Sequence, residues 1–148
     1  MEAVKQENDR KKEYLKSYQE AVREEQRIKD EIEQLRLDKM CPSVILDDMP
    51  HSHNQTDLSA YAARLDSLMF DLKCKLEDKT ELRHEINEKI NSMHCENQKT
   101  LLWMRYIQGM NFAEISVRMH YEYGYVLRMH GRSLRNFPLD EKKTYKDI

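Results

Sequence analysis

The sequence predicts an all-α protein made of a long N-terminal helical hairpin, similar to a coiled coil, and a three-helix module of helix-turn-helix type. Charged residues make up 35% of the 148 positions and hydrophobic residues 39%, with only three prolines and three glycines. This composition favours long helices with much exposed surface over a compact mixed core. Two long stretches also repeat their apolar residues at alternating steps of four and three, which is the spacing of a helix face.

The first stripe predicts a helix of roughly thirty residues. It consists of Tyr14, Tyr18, Ala21, Glu25, Ile28, Ile32 and Leu35. Pro42 then breaks the pattern, because proline lacks the amide hydrogen that a helix interior needs. We therefore predict a loop at about residues 41–57.

The second stripe predicts another long helix. It comprises Leu58, Ala62, Leu65, Met69, Leu72 and Leu76, and it resumes after two polar positions with Ile86, Ile90 and Met93. Two helices of similar length with matching stripes predict an antiparallel hairpin over residues 1–97. Because its apolar seam is narrow, we expect the hairpin to recruit a second copy, most simply as a homodimer. Nothing in either stripe indicates a cofactor, and none is expected.

Residues 98–137 predict three short helices. The first runs from about Gln98 to Gln108, with Gly109 where a C-terminal cap belongs. Asn111 is of the N-cap type, and Glu114 three positions later completes the pattern of a capping box. The third helix begins near Glu122, and residues 138–148 are predicted to form a flexible tail.

Charge is distributed unevenly along the chain. Residues 1–98 contain 16 Lys and Arg against 22 Asp and Glu, whereas residues 99–137 contain six against two. An acidic arm joined to a basic module is typical of a protein in which one part meets a polyanion. The alternative is a solvated helix face that happens to be basic.

The third short helix has two distinct faces. At about 100° per residue, one face collects Val126, Met129, His130, Ser133 and Phe137, flanked by Leu127 and Leu134, and is predicted to be buried. The opposite face collects Gly124, Arg128, Gly131, Arg132 and Arg135. Glycine inside a helix costs on the order of 1 kcal/mol, so these glycines are either tolerated or let the helix approach a groove wall or a phosphate closely.

This polar face is typical of a recognition helix that contacts DNA. Arg128 and Arg132 would reach base edges, and Arg135 would reach the phosphate backbone. Tyr123 and Tyr125 would flank the helix where it enters the major groove, either touching phosphate or covering the core. The sequence thus predicts a double-stranded DNA partner.

Other function classes find little support in the sequence. The cysteines Cys41, Cys74 and Cys95 have no metal-site or disulfide spacing, and His51, His53 and His94 form no convincing ligand set, so no metal is expected. No catalytic constellation is present, so we do not expect an enzyme. The first residues lack the apolar core of a secretory signal and no run could cross a bilayer, which predicts a cytoplasmic protein without a membrane partner.

The stretch TLLWMRYIQGMNFAEISVRMHYEYGYVLRMHGRSL, residues 100–134, resembles the C-terminal helix-turn-helix of bacterial sigma factors. Over almost its full length the chain resembles a small family from phages and prophages of Gram-positive bacteria, related to the ArpU and RinA late-gene regulators. The motifs that carry this resemblance are KEYLKSY at residues 12–18, MP at residues 49–50, YAARLDSL at residues 61–68 and MHGRSL at residues 129–134.

The resemblance implies sequence-specific DNA binding and control of transcription in a bacterial host, with host RNA polymerase as a further expected partner. It assigns DNA contacts to Tyr123, Gly124, Leu127 and Arg128, with Arg132 further along. It also matches Arg105 and Glu114, for which we expect a structural pairing. This chain departs from sigma factors in placing Glu122, Tyr123 and Gly124 where a Ser or Thr cap and polar residues are usual. Alternatives are a small-terminase-like DNA-packaging subunit and a helical interaction protein without DNA binding.

Overall fold

The structure is a computed structural model that describes residues 1–40 and 55–140. Its helices are α1 (Glu2–Met40), α2 (Gln55–Asn91), α3 (Glu96–Leu102), α4 (Phe112–Met119) and α5 (Tyr123–Asn136), and a π-helical turn (Trp103–Ile107) continues α3. No strand occurs in the described residues, and the prediction of an all-α fold is confirmed. Most of the predicted loop, at residues 41–54, and most of the predicted tail, at residues 141–148, lie outside the described residues.

The described chain divides into two compact units. The first, Val22–Asp78, contains the second half of α1 and the first half of α2. Cross-helix pairs join Glu24 to Lys75 at 2.7 Å and Glu31 to Arg64 at 4.0 Å, and Lys39 lies 5.5 Å from the ring centre of Tyr61. Since partner numbers in α2 fall as those in α1 rise, the two helices of this unit run antiparallel.

The stripe predicted for α1 does face inward. Tyr14, Tyr18, Glu25 and Ile32 are buried, and the remaining positions of that stripe are half-buried. The stripe predicted for the first half of α2 is partly wrong. Leu68 is buried there, whereas Leu58, Ala62, Met69 and Leu76 are exposed and Leu65 and Leu72 are half-buried. The side of α2 that faces α1 therefore includes Leu68 rather than its neighbour Met69, which the predicted stripe contained.

The second unit combines residues 1–21 with the described chain from Lys79 onward. One core cluster of this unit consists of Leu101, Ile115, Val126 and Met129, which are contributed by α3, α4 and α5. Five half-buried side chains surround this cluster: Met104, Met110, Phe112, Met119 and Tyr125. The domain boundary predicted after residue 97 stays a prediction, but packing groups the start of α1 and the end of α2 with the three short helices.

Candidate nucleic-acid interface

The predicted capping box at the start of α4 is present. The Asn111 side chain accepts a hydrogen bond from the Glu114 amide at 2.8 Å, and the Glu114 carboxylate accepts one from the Asn111 amide at 3.2 Å. These two bonds satisfy amides that a helix start leaves free. At the other end of α4, His120 takes a left-handed conformation, with φ of 60°.

A short turn separates α4 from α5, as predicted. The Tyr121 amide donates a hydrogen bond to the Ser116 carbonyl, which closes the end of α4. Helix α5 then begins at Tyr123, directly after Glu122. Glu122 occupies the cap position in extended conformation but makes no side-chain cap bond. Two helices joined in this way have the element order of a helix-turn-helix pair, with α5 as its second helix.

The buried face of α5 is the predicted one. Its buried residues are Val126, Met129, His130, Ser133 and Leu134, and Phe137 follows directly after the helix. The Ser133 hydroxyl donates to the Met129 carbonyl at 2.7 Å, so this polar side chain is satisfied within the core. Leu127, predicted to flank this face, is instead 40% exposed.

Three arginines of α5 are exposed, namely Arg128, Arg132 and Arg135. Arg132 lies 6.0 Å from the ring centre of Tyr125, a distance at which a cation–π contact begins. The guanidinium group of Arg128 extends back along the helix toward Gly124. Its Nη1 lies 3.7 Å from the position that a Cβ at Gly124 would occupy. The outward side of α5 therefore presents several guanidinium groups within about two helical turns.

The remaining predicted contact residues differ in exposure. Tyr123 is 51% exposed. Tyr125 is half-buried against the core cluster and packs on Tyr121 with ring centres 5.1 Å apart, so its ring covers the core. Gly124 and Gly131 are half-buried, which places them at the margins of the exposed face.

The three glycines have different structural requirements. Gly109 has φ of 73°, and a Cβ there would lie 3.2 Å from the Gln19 side chain, so this position favours glycine. Gly131 has no such constraint, because a Cβ there would meet nothing within 4 Å. Neither internal packing nor backbone conformation explains Gly124 or Gly131.

A residue of α1 holds the π-helical turn that precedes Gly109. The Gln19 amide nitrogen donates to the Tyr106 carbonyl at 2.9 Å and to the Ile107 carbonyl at 3.1 Å. Carbonyls at the end of a helix have no partner within that helix. Gln19 therefore fixes the end of this turn, and with it the point from which α4 begins.

Two further contacts from α1 hold the end of α5. The Lys11 ammonium, which is buried, donates to the Arg135 carbonyl at 3.2 Å and pairs with Glu7 at 3.2 Å. Tyr14 packs against Phe137 with ring centres 6.1 Å apart. Burial, aided by Glu85, raises the pKa of Tyr14. The first half of α1 therefore packs against the end of α5 within this unit.

A buried polar pair links the π-helical turn to α5. The Tyr106 hydroxyl and His130 Nε2 share a hydrogen bond of 2.7 Å. Burial, reinforced by Lys12, Arg105 and Lys16, lowers the pKa of His130 to about 4. Burial also raises the pKa of Tyr106 to about 12. Both groups are neutral near pH 7, so this pair holds α5 in place without burying a charge.

Arg105 and Glu114 do not form the structural pairing that we expected. Arg105 donates to the Met110 carbonyl at 3.1 Å and lies over the Phe112 ring at 4.3 Å, while the Glu114 carboxylate belongs to the capping box. Arg105 nevertheless has a structural role, because it fixes the loop before α4. Trp103 is 37% exposed in the π-helical turn.

An open groove of about 750 Å³ runs between the first three turns of α1 and the later turns of α5. Its apolar residues include Val4, Leu127 and Leu134, and its charged ones are Lys5, Asp9, Lys12 and Arg135. Gly131 also lines this groove. The cationic side chains of α1 therefore lie next to the arginine-bearing helix.

Other kinds of site find no support in the part of the chain that the structure describes. Within residues 1–40 and 55–140, no cluster of His, Cys, Asp or Glu could hold a metal ion. None of the helices described there is long and apolar enough to cross a membrane. His51 and His53 lie outside the described residues.

The sequence-based reasoning missed the contacts that position α5, namely those of Lys11, Gln19 and the Tyr106–His130 pair. Gln19 and Lys11 bind backbone carbonyls 87 and 124 residues away, and no local pattern signals such bonds. The burial of His130 was predicted from helix spacing, but its partner was not. Comparison with protein-family models, with curated proteins and with solved structures finds no match to this chain.

Proposed function

We propose that this protein is a sequence-specific DNA-binding regulator of transcription, of phage or prophage type, in which α5 lies in the major groove. The observation that carries the proposal is the exposed face of α5, where Arg128, Arg132 and Arg135 project from the second helix of a helix-turn-helix pair. Its 14 residues span about 20 Å, and an α-helix fits the major groove.

The assignment of contacts follows from exposure. Arg128 and Arg132 would read base edges, because an arginine fork matches the two acceptors of guanine. Arg135 and Tyr123 would bind phosphates, and Leu127 would contact an apolar base edge. Tyr125, which covers the core, would act chiefly by supporting Arg132. Gly124 and Gly131 would let the backbone approach the DNA closely.

The rest of the chain supports this role. The basic stretch at residues 99–137 suits a polyanionic partner, whereas the acidic hairpin is suited to contact with protein. We propose that the hairpin mediates association with a second copy, preferably as a dimer, and that it contacts host RNA polymerase. The proposed setting is the cytoplasm of a bacterial host, and the proposed activity is binding rather than catalysis.

The experiment is a selection of bound sequences from random duplex DNA with the full-length protein at near-physiological salt. The test variant carries Arg128→Ala and Arg132→Ala. A matched control carries Arg23→Ala and Arg27→Ala, which remove the same charge from exposed positions on α1. Circular dichroism checks that all three proteins are equally helical.

We expect the wild type and the control to enrich a common motif that the test variant loses. The affinity of the test variant should fall by at least about tenfold. The slope of log affinity against log salt concentration should become shallower by about one to two, because fewer counterions are released. Equal enrichment by the test variant would contradict the proposed face, and no enrichment by any protein would contradict sequence-specific binding.

A further inference from the structure

The outer side of α2 carries an apolar stripe that the structure leaves uncovered. Leu58, Ala62, Met69 and Leu76 are exposed, and the fractions for the three larger side chains are 58%, 46% and 37%. At about 100° per residue, all four lie within about 40° of one another around the helix. All belong to the Val22–Asp78 unit, so the stripe is a single surface of that unit.

This stripe continues the packed side of the helix. Leu65 and Leu72 are half-buried and lie at its border, whereas Leu68 on the side that faces α1 is buried. α2 therefore has apolar residues on two adjacent sides, and α1 packs against one of them. Aligned apolar side chains that are exposed on a helix mark a surface for interaction.

Two charged residues flank the stripe on one edge and indicate what covers it. Asp66 and Lys73 are both exposed, and neither forms an ion pair with another residue of the described chain. They are seven residues apart, so they occupy equivalent positions on successive repeats of the helix. Opposite charges at equivalent positions make this edge complementary to itself when a second copy runs the other way.

The register follows from these two charges. If Met69 packs against Leu72 of the second copy, and Leu65 against Leu76 of the second copy, Asp66 faces Lys73 of the second copy. Two-fold symmetry then forms that ion pair twice, with the axis between residues 70 and 71. A shift by one repeat would instead bring Asp66 next to Asp66 of the second copy, which is unfavourable.

We propose that the outer stripe of α2 binds a second copy of this chain in antiparallel orientation, with paired Asp66–Lys73 contacts on its edge. This inference deepens the self-association that is part of the proposed function, and it is independent of DNA binding. The two α1–α2 pairs would then form a four-helix arrangement, in which the second copy supplies the missing seam.

Charge exchange tests the register directly. Sedimentation equilibrium of the full-length protein without DNA, over a range of concentrations, measures the dimer dissociation constant. Asp66→Lys and Lys73→Asp should each weaken the dimer about tenfold, because each places like charges together twice. The double variant exchanges the two charges and should return the constant close to the wild-type value. Asp78→Lys, an exposed charge reversal away from the stripe, is the control and should change little.

Met69→Glu tests the apolar stripe itself. The substitution would place a carboxylate in the apolar seam of each copy, so the dimer should weaken about 100-fold or more. Helicity by circular dichroism should stay unchanged, since Met69 is exposed in the single chain. A wild type that stays monomeric, a Met69→Glu variant that still dimerises, or a double charge exchange no better than its single parents would each overturn the proposal. Failure of the DNA selection would leave these results unaffected.

Discussion

α2 and α5 each have one side packed within the protein and one side turned to solvent, and their outward sides are chemically opposite. The outward side of α5 carries arginines and two glycines at its margins, whereas that of α2 carries Leu, Met and Ala with two opposite charges along one edge. Water solvates the first surface well and the second poorly. The chemistry of each exposed face matches the partner that we propose for it, which is a polyanion for α5 and another apolar helix for α2.

The largest expected effect distinguishes the two sides of α2 at neighbouring positions. Leu68→Ala should lower the free energy of unfolding by about 2–4 kcal/mol, because it leaves a cavity at a site that is 4% exposed. Met69→Ala should change it by no more than about 0.5 kcal/mol in dilute, monomeric protein, since Met69 is 46% exposed. Urea denaturation at low and high protein concentration measures both.

Concentration provides the control for this pair. Raising the protein concentration should stabilise the wild type, because association stabilises the folded state by mass action, but it should have less effect on Met69→Ala. Equal losses from the two substitutions at low concentration would mean that the two sides of α2 are not different.

The next effect concerns the buried side of α5 and its response to acid. His130 has a folded pKa of about 4 against an ordinary value of 6.5. Below pH 6.5 the unfolded chain binds a proton that the folded protein excludes. Stability should therefore be fully present above pH 6.5 and should fall by up to about 3 kcal/mol as pH approaches 4. Chemical denaturation between pH 7 and pH 4.5 measures this slope.

Carboxylates also contribute to acid sensitivity, so the test is a difference between variants. His130→Gln should be less stable than the wild type at pH 7 but should have a shallower slope over the same range. His94→Gln, at an exposed position, is the control and should keep the wild-type slope. The same slope in the wild type and in His130→Gln would show that His130 does not take up the proton on unfolding.

Helix spacing predicted α5 well because its apolar residues form only one arc. Val126, Met129 and His130 have no competing stripe, so the inward side is unambiguous. α2 is different, since Leu65 and Leu72 belong equally to a stripe that includes Leu68 and to one that includes Met69. Spacing alone cannot decide which stripe faces α1, and the predicted orientation was therefore wrong by about one residue.

The candidate site was predictable only where local chemistry determines it. The capping box of Asn111 and Glu114, and the left-handed Gly109, each follow from residue types within a few positions. The bonds from Lys11 and Gln19 to backbone carbonyls depend on how distant segments pack, and backbone acceptors have no sequence signature. The pairing expected between Arg105 and Glu114 was wrong for the same reason, because each side chain found a nearer backbone partner.

The smallest expected effect concerns Gly131 and the question of whether this glycine helps the outward side of α5 to bind DNA. Gly131→Ala should stabilise the folded protein by about 0.5–1 kcal/mol, because a Cβ fits there and alanine favours a helix. The same change should weaken DNA binding if the duplex approaches the helix backbone at this point. Thermal denaturation and a DNA titration of the same preparation measure the two quantities.

Gly109→Ala is the contrasting variant. Its backbone is left-handed and Gln19 lies 3.2 Å from the added Cβ, so it should destabilise the protein by about 1 kcal/mol or more. A gain in stability for Gly131→Ala and a loss for Gly109→Ala would show that the fold requires Gly109 but not Gly131. If Gly131→Ala raised stability and left DNA affinity unchanged, the glycine would be merely tolerated and the outward side of α5 would depend on its arginines alone.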